Sequence, residues 1–340
     1  MHSTNDIWSD KVTNVAQVGG IESSVLDNGL GRGVRIAWFN TGTGLRFKVV
    51  IDRAMDIADA FYNQHSIAWL SHPGIMAPQP FSHKGADWLR TFGGGLVTTC
   101  GLTHVGGDEE DAHGARGVHD LISNTPAEII SIIQPDPARG ILTMSISGII
   151  KQSKIFGPAL ELKRTISATL GVAGFQMKDE IINRGNEAAP HMLLYHCNFG
   201  WPLADEGAQI FCNGEQTKTC PPINDQHSGP GQEVFFIDAK ANQQGECVCG
   251  IENKKIGIAA VLKFPKKQLP WLTNWQHWAK GEYVTGIEPG THPPIGQAKA
   301  RAEGSLLFIA PGESKQYHLE IEILHNPKRI NELLEQVTVQ

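Results

Sequence analysis

The chain has 340 residues, of which 41% are hydrophobic and 19% are charged, and its formal net charge is −6 at pH 7. This apolar content is enough to build a folded core, which excludes an intrinsically disordered chain. The acidic balance argues against nucleic acid as a partner, because phosphate backbones are bound by clustered Lys and Arg. No apolar run approaches the roughly 18 residues of a membrane span, so we expect no membrane partner.

The first eleven residues, MHSTNDIWSDK, are polar and acidic. They lack the basic start and the apolar stretch of a secretory signal, so we expect a cytoplasmic protein. A long chain without an export signal is not typical of a disulfide scaffold, so we interpret the cysteines as buried structural thiols. There are six of them: Cys100, Cys197, Cys212, Cys220, Cys247 and Cys249.

Alternation of apolar and polar residues with a period of two dominates the chain, which predicts strands with two different faces. The clearest alternation lies at 34–39, 45–52, 160–166 and 317–324. Further strands are expected at 128–134, 141–151, 175–183, 191–199, 257–263 and 306–310. The only strong helix signal is at the C-terminus, where Asn326 is a cap, Pro327 fits the first helical position and the apolar residues follow a period of 3.6.

These elements predict an all-β protein of about fifteen strands with a short C-terminal helix. So many strands require two large packed sheets, because a single open sheet of that size would curl or split. Composition does not shift between the two halves, so we expect one domain over residues 1–340 with its core at about 20–325.

Two glycine-rich stretches do not have the spacing of nucleotide-binding loops. Residues 28–33 miss the G-x-G-x-x-G spacing, and the three glycines at 93–95 lack a following Lys-Ser/Thr. We interpret Gly93–Gly95 as a bend at which the backbone approaches closely beside a cavity.

A small set of polar residues has the chemistry of a catalytic site. His196 and Asn198 share one face of an apolar strand that ends at Trp201-Pro202. Glu288 lies at a strand end, where Pro289 forces an extended conformation and where apolar surroundings would raise the pKa of its carboxyl group. A carboxylate and an imidazole with separated pKa values suit general acid–base catalysis.

Arg53 follows the strand at 45–52, and alternation places its side chain on the same face as Ile51. A guanidinium on that face needs an internal carboxylate or a ligand oxygen, and we expect it to contact substrate oxygens. His119 lies in a loop just before a strand. Trp88 and Trp275 could present apolar surface to a sugar, and Asn198 and His277 are counted with them among the candidate sugar-binding residues.

Together these residues resemble the galactose mutarotase (aldose 1-epimerase) superfamily, and more closely its branch of uncharacterised aldose-1-epimerase-like proteins. The order Arg, His, His, Glu along the chain matches, and the similarity extends from about residue 45 to residue 320. The matching stretches are the arginine strand at 52–57, the glycine-rich strand at 92–102, the histidine loop at 118–126, the histidine strand at 194–200 and the glutamate turn at 287–291.

The resemblance implies a twisted β-supersandwich with a sugar pocket on one concave face. It implies that His196 is the general acid that protonates the ring oxygen and that Glu288 is the base that takes the anomeric proton. His119 and Arg53 would hold the ring oxygen side and neighbouring hydroxyls. Opening a hemiacetal this way requires no metal and no organic cofactor.

The sequence also departs from the well-studied mutarotases. His119 is followed by Asp120 where those enzymes usually have Gly, and no residue matches their sugar-specific acidic residue, so the sugar is not identified. Two alternatives stay open: a non-catalytic carbohydrate-binding protein on the same fold, and a metal-assisted sugar isomerase or lyase that uses several histidines. A small-molecule carbohydrate is the expected partner, and the sequence does not give the oligomeric state.

Overall fold

The structure is a computed structural model that describes residues 11–79, 84–213, 217–228 and 231–338. Within these ranges it contains 22 strands and three α-helices. The strands are β1 (Gly20–Val25), β2 (Arg35–Asn40), β3 (Leu45–Val50), β4 (Asp56–Tyr62), β5 (His65–Ser66), β6 (Thr98–Leu102), β7 (Glu109–Asp111), β8 (Gly114–Arg116), β9 (Glu128–Ile133), β10 (Thr143–Ser153), β11 (Ala159–Thr169), β12 (Gly174–Asn183), β13 (Ala189–Gly200), β14 (Gln209–Cys212), β15 (Lys218–Thr219), β16 (Glu233–Ile237), β17 (Glu246–Asn253), β18 (Ile258–Pro265), β19 (Trp271–Ala279), β20 (Glu282–Gly290), β21 (Leu307–Ile309) and β22 (Ser314–Leu324). The α-helices are α1 (Trp88–Thr91), α2 (Gln297–Ala302) and α3 (Pro327–Thr338), and short 3₁₀ turns lie at Val15–Gln17, Gly29–Gly31, Ile122–Asn124, Pro137–Arg139 and Asp225–His227.

All strand pairs in the described chain are antiparallel, and two large sheets form the body of the fold. A nine-stranded sheet has the order β15-β14-β17-β18-β22-β12-β11-β10-β9. A six-stranded sheet has the order β16-β19-β20-β13-β21, with β6 also paired to β13. A five-stranded sheet runs in order from β1 to β5, and β7 and β8 form a hairpin. The all-β prediction with two large sheets is confirmed; the strand count is higher because many short strands have no alternation to detect.

The main hydrophobic core contains side chains from all three larger sheets. On β13, Leu193, Tyr195, Cys197 and Phe199 face this core. The alternate residues of the same strand face the opposite side, as the pleat requires. His196 is one of them, so the fold directs it away from the main core and onto the open face of the six-stranded sheet.

The C-terminal helix begins as predicted. The Asn326 side-chain oxygen accepts hydrogen bonds from the amides of Lys328 (3.0 Å) and Arg329 (3.3 Å), which caps the helix. Ile330 and Val337 are buried in a separate apolar cluster over β14, β17 and β18. All six cysteines are free and buried, as expected. None of the helices in the described ranges has the length and apolar character needed to cross a membrane.

Candidate active site

His196 and Glu288 lie beside each other on neighbouring strands of the six-stranded sheet. Cys197 of β13 pairs with Ile287 of β20, so the next position along this antiparallel ladder places His196 opposite Glu288. Their reactive atoms are 3.2 Å apart, from Nε2 of His196 to Oε1 of Glu288. Gly286 leaves room for this carboxylate, because a Cβ there would lie 2.1 Å from Oε1.

Burial shifts both pKa values toward the uncharged forms. It raises the pKa of Glu288 well above its usual range, and it lowers the pKa of His196 to about 4. Burial therefore favours a protonated carboxyl group on Glu288 and a neutral imidazole on His196. Groups with pKa values displaced in this way are those suited to proton transfer.

Asn198 lies behind His196 rather than in the cavity that His196 faces. Its amide nitrogen donates to the carbonyls of Gly95 and His196, each at 3.0 Å. As an acceptor for the protonated ring, its side-chain oxygen favours the charged imidazole and raises the pKa of His196 against the effect of burial. This contact is less well aligned than an ordinary hydrogen bond, since neither Nδ1 of His196 nor Oδ1 of Asn198 has a partner of normal geometry in the described chain. Asn198 thus acts on His196, and the described lining of the cavity does not include it.

His119 reaches the same cavity from a loop in a left-handed conformation. The φ angles of His119 and Asp120 are +53° and +61°. Asp120 occupies a position that favours glycine, and its carboxylate holds the turn by accepting from the Thr103 amide (3.0 Å) and hydroxyl (2.6 Å). The departure from the usual glycine is therefore accommodated by local hydrogen bonds.

The ring of His119 is neutral, and its tautomer follows from its contacts. Burial, followed by the nearby His196 and His104, lowers the pKa of His119 to about 3. Its Nδ1 accepts a hydrogen bond from the Gly106 amide (3.3 Å). The proton of the neutral ring is therefore on Nε2, where it can be donated to a ligand oxygen.

His119, His196 and Glu288 open into a cavity of about 670 Å³ with aromatic walls. Trp88 stacks on Phe92 at a centroid distance of 4.3 Å and meets His119 edge-on at 4.7 Å. Trp275 meets His196 edge-on at 5.4 Å, and its indole nitrogen donates to Gln232 (2.7 Å). His277 lines the cavity further along β19. The structure thus brings together His119, His196, Glu288, Trp88, Trp275 and His277.

Arg53 is not among the residues that line this cavity, so its expected contact with substrate stays a prediction. Strand β3 ends at Val50, and the chain then turns, so the alternation that assigned a face to Arg53 stops before that residue. Its guanidinium donates to the carbonyl oxygens of Ser123 and Thr91, beside a separate cavity of about 40 Å³. Backbone carbonyls take hydrogen bonds of the guanidinium, and the nearby carboxylate of Asp56 favours its charged form.

The sequence matches one family model over most of its length. The model is described as "Domain of unknown function (DUF4432)", and it matches residues 31–323. The chain belongs to the DUF4432 family. No curated protein sequence matches this DUF4432 member.

Solved structures show that the DUF4432 chain has the galactose mutarotase-like fold. It is similar to a "putative aldose 1-epimerase" from Klebsiella pneumoniae, with a TM-score of 0.81 and 22% identity over 98% of this chain and 89% of the other. A galactose mutarotase-like protein from Clostridium acetobutylicum gives a TM-score of 0.63 and 12% identity over 91% and 100% of the two chains. Galactose 1-epimerase from Lactobacillus acidophilus gives a TM-score of 0.57 and 10% identity over 90% and 99%.

Several cavity residues of the DUF4432 protein were missed from the sequence although a signal for them exists. Thr273 alternates along β19 with the predicted residues Trp275 and His277, and Glu282 and Val284 lie on the same face of β20 as the predicted Glu288. The period of two that revealed the other strands would have placed them on one surface. The additional lining residues include Trp69, Phe92, Gln232, Val234, Phe236, Thr273, Glu282 and Val284.

Other histidines of the DUF4432 protein have structural partners. His104 hydrogen bonds to the Gly107 carbonyl (2.7 Å), His191 to Tyr317 (2.7 Å), and His292 to the Ser305 carbonyl (2.8 Å). Within the described ranges, no group of three or more His, Cys, Asp or Glu side chains is arranged to hold a metal ion. A second cavity of about 660 Å³ lies beside Trp38 and Phe61 on the five-stranded sheet, and its described lining contains no histidine.

Proposed function

We propose that this protein is a cofactor-free sugar mutarotase or epimerase that acts at the anomeric centre by general acid–base catalysis. The observation that carries the proposal is the 3.2 Å separation of His196 Nε2 and Glu288 Oε1 at the wall of an aromatic cavity. The anomeric hydroxyl and the ring oxygen are bonded to the same carbon. An acid and a base that lie this close can each reach one of those two oxygens.

In the proposed reaction the sugar gives one proton to Glu288 and receives one proton from His196. Transfer of the acidic proton from Glu288 to His196 gives a carboxylate and an imidazolium. The carboxylate takes the proton of the anomeric hydroxyl while the imidazolium protonates the ring oxygen, and the bond between C1 and the ring oxygen breaks. The open-chain aldehyde forms with the proton back on Glu288; rotation about C1–C2 and the reverse steps give the other anomer.

The surrounding residues have supporting roles in this proposal. Nε2 of His119 donates to a sugar oxygen, and Trp88 and Trp275 contact the C–H faces of the ring. Asn198 favours the imidazolium form of His196 on which the first step depends. The substrate is a small carbohydrate, and we propose a single domain because the main core cluster extends from Ile21 to Ile323. The cytoplasmic location stays a prediction from the sequence.

NMR exchange spectroscopy on a panel of reducing sugars, beginning with glucose and galactose, tests the proposal. Loss of a general base typically costs about 10²–10⁴-fold. Glu288→Gln should therefore slow anomer exchange by at least a hundredfold, and His196→Asn should do the same. His113→Asn, on the exposed hairpin between β7 and β8, is the matched control and should not change the rate.

Two outcomes would contradict parts of the proposal. If Glu288→Gln retains more than a tenth of the rate, Glu288 is not the base. If the protein binds sugars of the panel without accelerating their exchange, it is a carbohydrate-binding protein on this fold and not an isomerase.

A further inference from the structure

The cavity extends well beyond the catalytic pair along β19 and β20. In the register of these strands, Thr273 pairs with Glu288, Trp275 with Gly286 and His277 with Val284. A strand advances about 3.3 Å per residue, so His277 lies about 13 Å from the level of Thr273, with Trp275 halfway between. The separation of these two levels is larger than the length of one sugar ring.

Unpartnered polar atoms occur at both ends of this distance. At the catalytic level, the buried hydroxyl of Thr273 has no hydrogen-bond partner in the described chain. At the far level, Nε2 of His277 is also buried without a partner, and His277 is only 8% exposed. Buried polar atoms are normally satisfied, so each of these two positions points to a ligand or water oxygen.

The far level has a second polar group and an apolar platform next to it. A carboxylate oxygen of Glu282 lies 3.7 Å from Nε2 of His277, too far for a hydrogen bond between them, and Glu282 also lines the cavity. Trp275 lies between the two levels, and its bond to Gln232 and its edge-on contact with Trp69 at 6.0 Å fix its ring. A fixed aromatic ring beside hydrogen-bonding side chains suits the apolar face and the hydroxyl groups of a sugar.

The size of the cavity agrees with more than one ring. Its volume of about 670 Å³ lies within the range of roughly 300–1,000 Å³ that is typical of sites for drug-sized ligands. A single hexose has only twelve non-hydrogen atoms and would leave much of this space to water.

From these observations we propose that the cavity contains a second sugar subsite formed by Trp275, His277 and Glu282, and that the substrate is an uncharged reducing disaccharide. The inference rests on the proposed function, because the reducing ring is the one assigned to His196 and Glu288. The second ring lies over Trp275 and exchanges hydrogen bonds with His277 and Glu282. The carboxylate of Glu282 accepts from hydroxyl groups and disfavours an acidic sugar at this level.

Binding measurements on the Glu288→Gln protein test the subsite without requiring turnover. Calorimetric Kd values are compared for maltose, cellobiose and lactose and for their constituents, glucose and galactose. At least one disaccharide should bind tenfold or more tightly than either of its constituents. Adding His277→Ala should reduce that affinity ratio about tenfold. Glu282→Ala, at a side chain that is 47% exposed, is the second variant and should reduce the ratio without affecting folding.

His113→Ala in the same background is the matched control and should leave the ratio unchanged. The subsite is overturned if no disaccharide exceeds its constituents tenfold, or if the ratio is the same in both subsite variants as in the control. Anomer exchange by the wild-type protein is the separate readout for the proposed function. A disaccharide preference without exchange would retain the subsite and reject the enzyme, whereas exchange without the preference would do the reverse.

Discussion

The stability of an Arg53→Met variant distinguishes a structural role of this arginine from a ligand-binding one. Burial lowers the pKa of Arg53 to about 10, although Asp56 opposes this effect, so the group stays charged at neutral pH. Its guanidinium satisfies the carbonyls of Thr91 and Ser123. Leaving each buried carbonyl without a donor costs about 1–3 kcal/mol, so the variant should lose roughly 2–6 kcal/mol. At ~2.1 cal/mol/K per residue of unfolding entropy, this loss lowers the Tm of 340 residues by about 3–8 °C.

Differential scanning calorimetry gives the Tm, and sugar titration gives the Kd of the same variant. The matched control is Arg90→Met in α1, where the arginine side chain is 82% exposed and paired with Asp87. Such a surface change should stay within about 0.5 kcal/mol, which is less than 1 °C here.

The reasoning would be refuted by the opposite pattern. If Arg53→Met keeps the Tm of the wild type but weakens sugar binding more than tenfold, the guanidinium contacts the ligand. The carbonyl contacts described above would then not represent the state that binds substrate.

Three further predictions concern the ionisable pair and the glycine bend. In the folded protein Glu288 keeps its proton, whereas in the unfolded chain it releases the proton above a pKa near 4.5, so the stability of the wild type falls as pH rises. Glu288→Gln removes this effect and should therefore have a higher Tm than the wild type at pH 8, with the difference disappearing toward pH 4. Calorimetry across this pH range would show the same Tm difference at every pH if burial did not raise the pKa of Glu288. The rate of anomer exchange should show an acid limb near pH 4 from His196 and a limb at higher pH from Glu288, because burial raises the pKa of Glu288. An acid limb that persists in His196→Asn would assign that limb to another group. Gly94→Ala should lower the free energy of unfolding by at least ~1–2 kcal/mol, because φ of Gly94 is +69° and a Cβ there would lie 2.6 Å from the carbonyl oxygen of Trp69. Urea titration measures this change, and an unchanged unfolding midpoint would mean that the backbone at residues 93–95 can relax around the methyl group.

The sequence predicted the fold where the alternation was long enough to define a face. The residues Tyr317, Leu319, Ile321 and Ile323 alternate in the sequence and are buried in β22. Strands of two or three residues, such as β5 and β15, contain no period to detect. The short helices α1 and α2 lack the cap and apolar stripe that revealed α3.

The candidate site was predictable in its residues but not in its assembly. His196 and Glu288 were both identified from strand-end context, and burial raises the pKa of Glu288 in the expected direction. Their contact depends on the register of strands that are far apart in the chain, which no local pattern contains. The face assigned to Arg53 was wrong because alternation was extrapolated beyond the end of β3, into a turn where Ala54 and Met55 have positive φ angles.

The placement of His196 opposite Glu288 has a consequence for how this site can change. Their separation is set by the hydrogen-bond ladder between β13 and β20, whose spacing of about 4.7–4.9 Å is common to every sheet. Loops contribute His119 and much of the aromatic wall, and loops tolerate substitution and insertion far better than paired central strands. Changes in the loops that shape the pocket therefore leave the distance between His196 and Glu288 unchanged. Under the proposed mechanism, one proton-transfer geometry can be kept while the residues around the pocket change to fit different sugars.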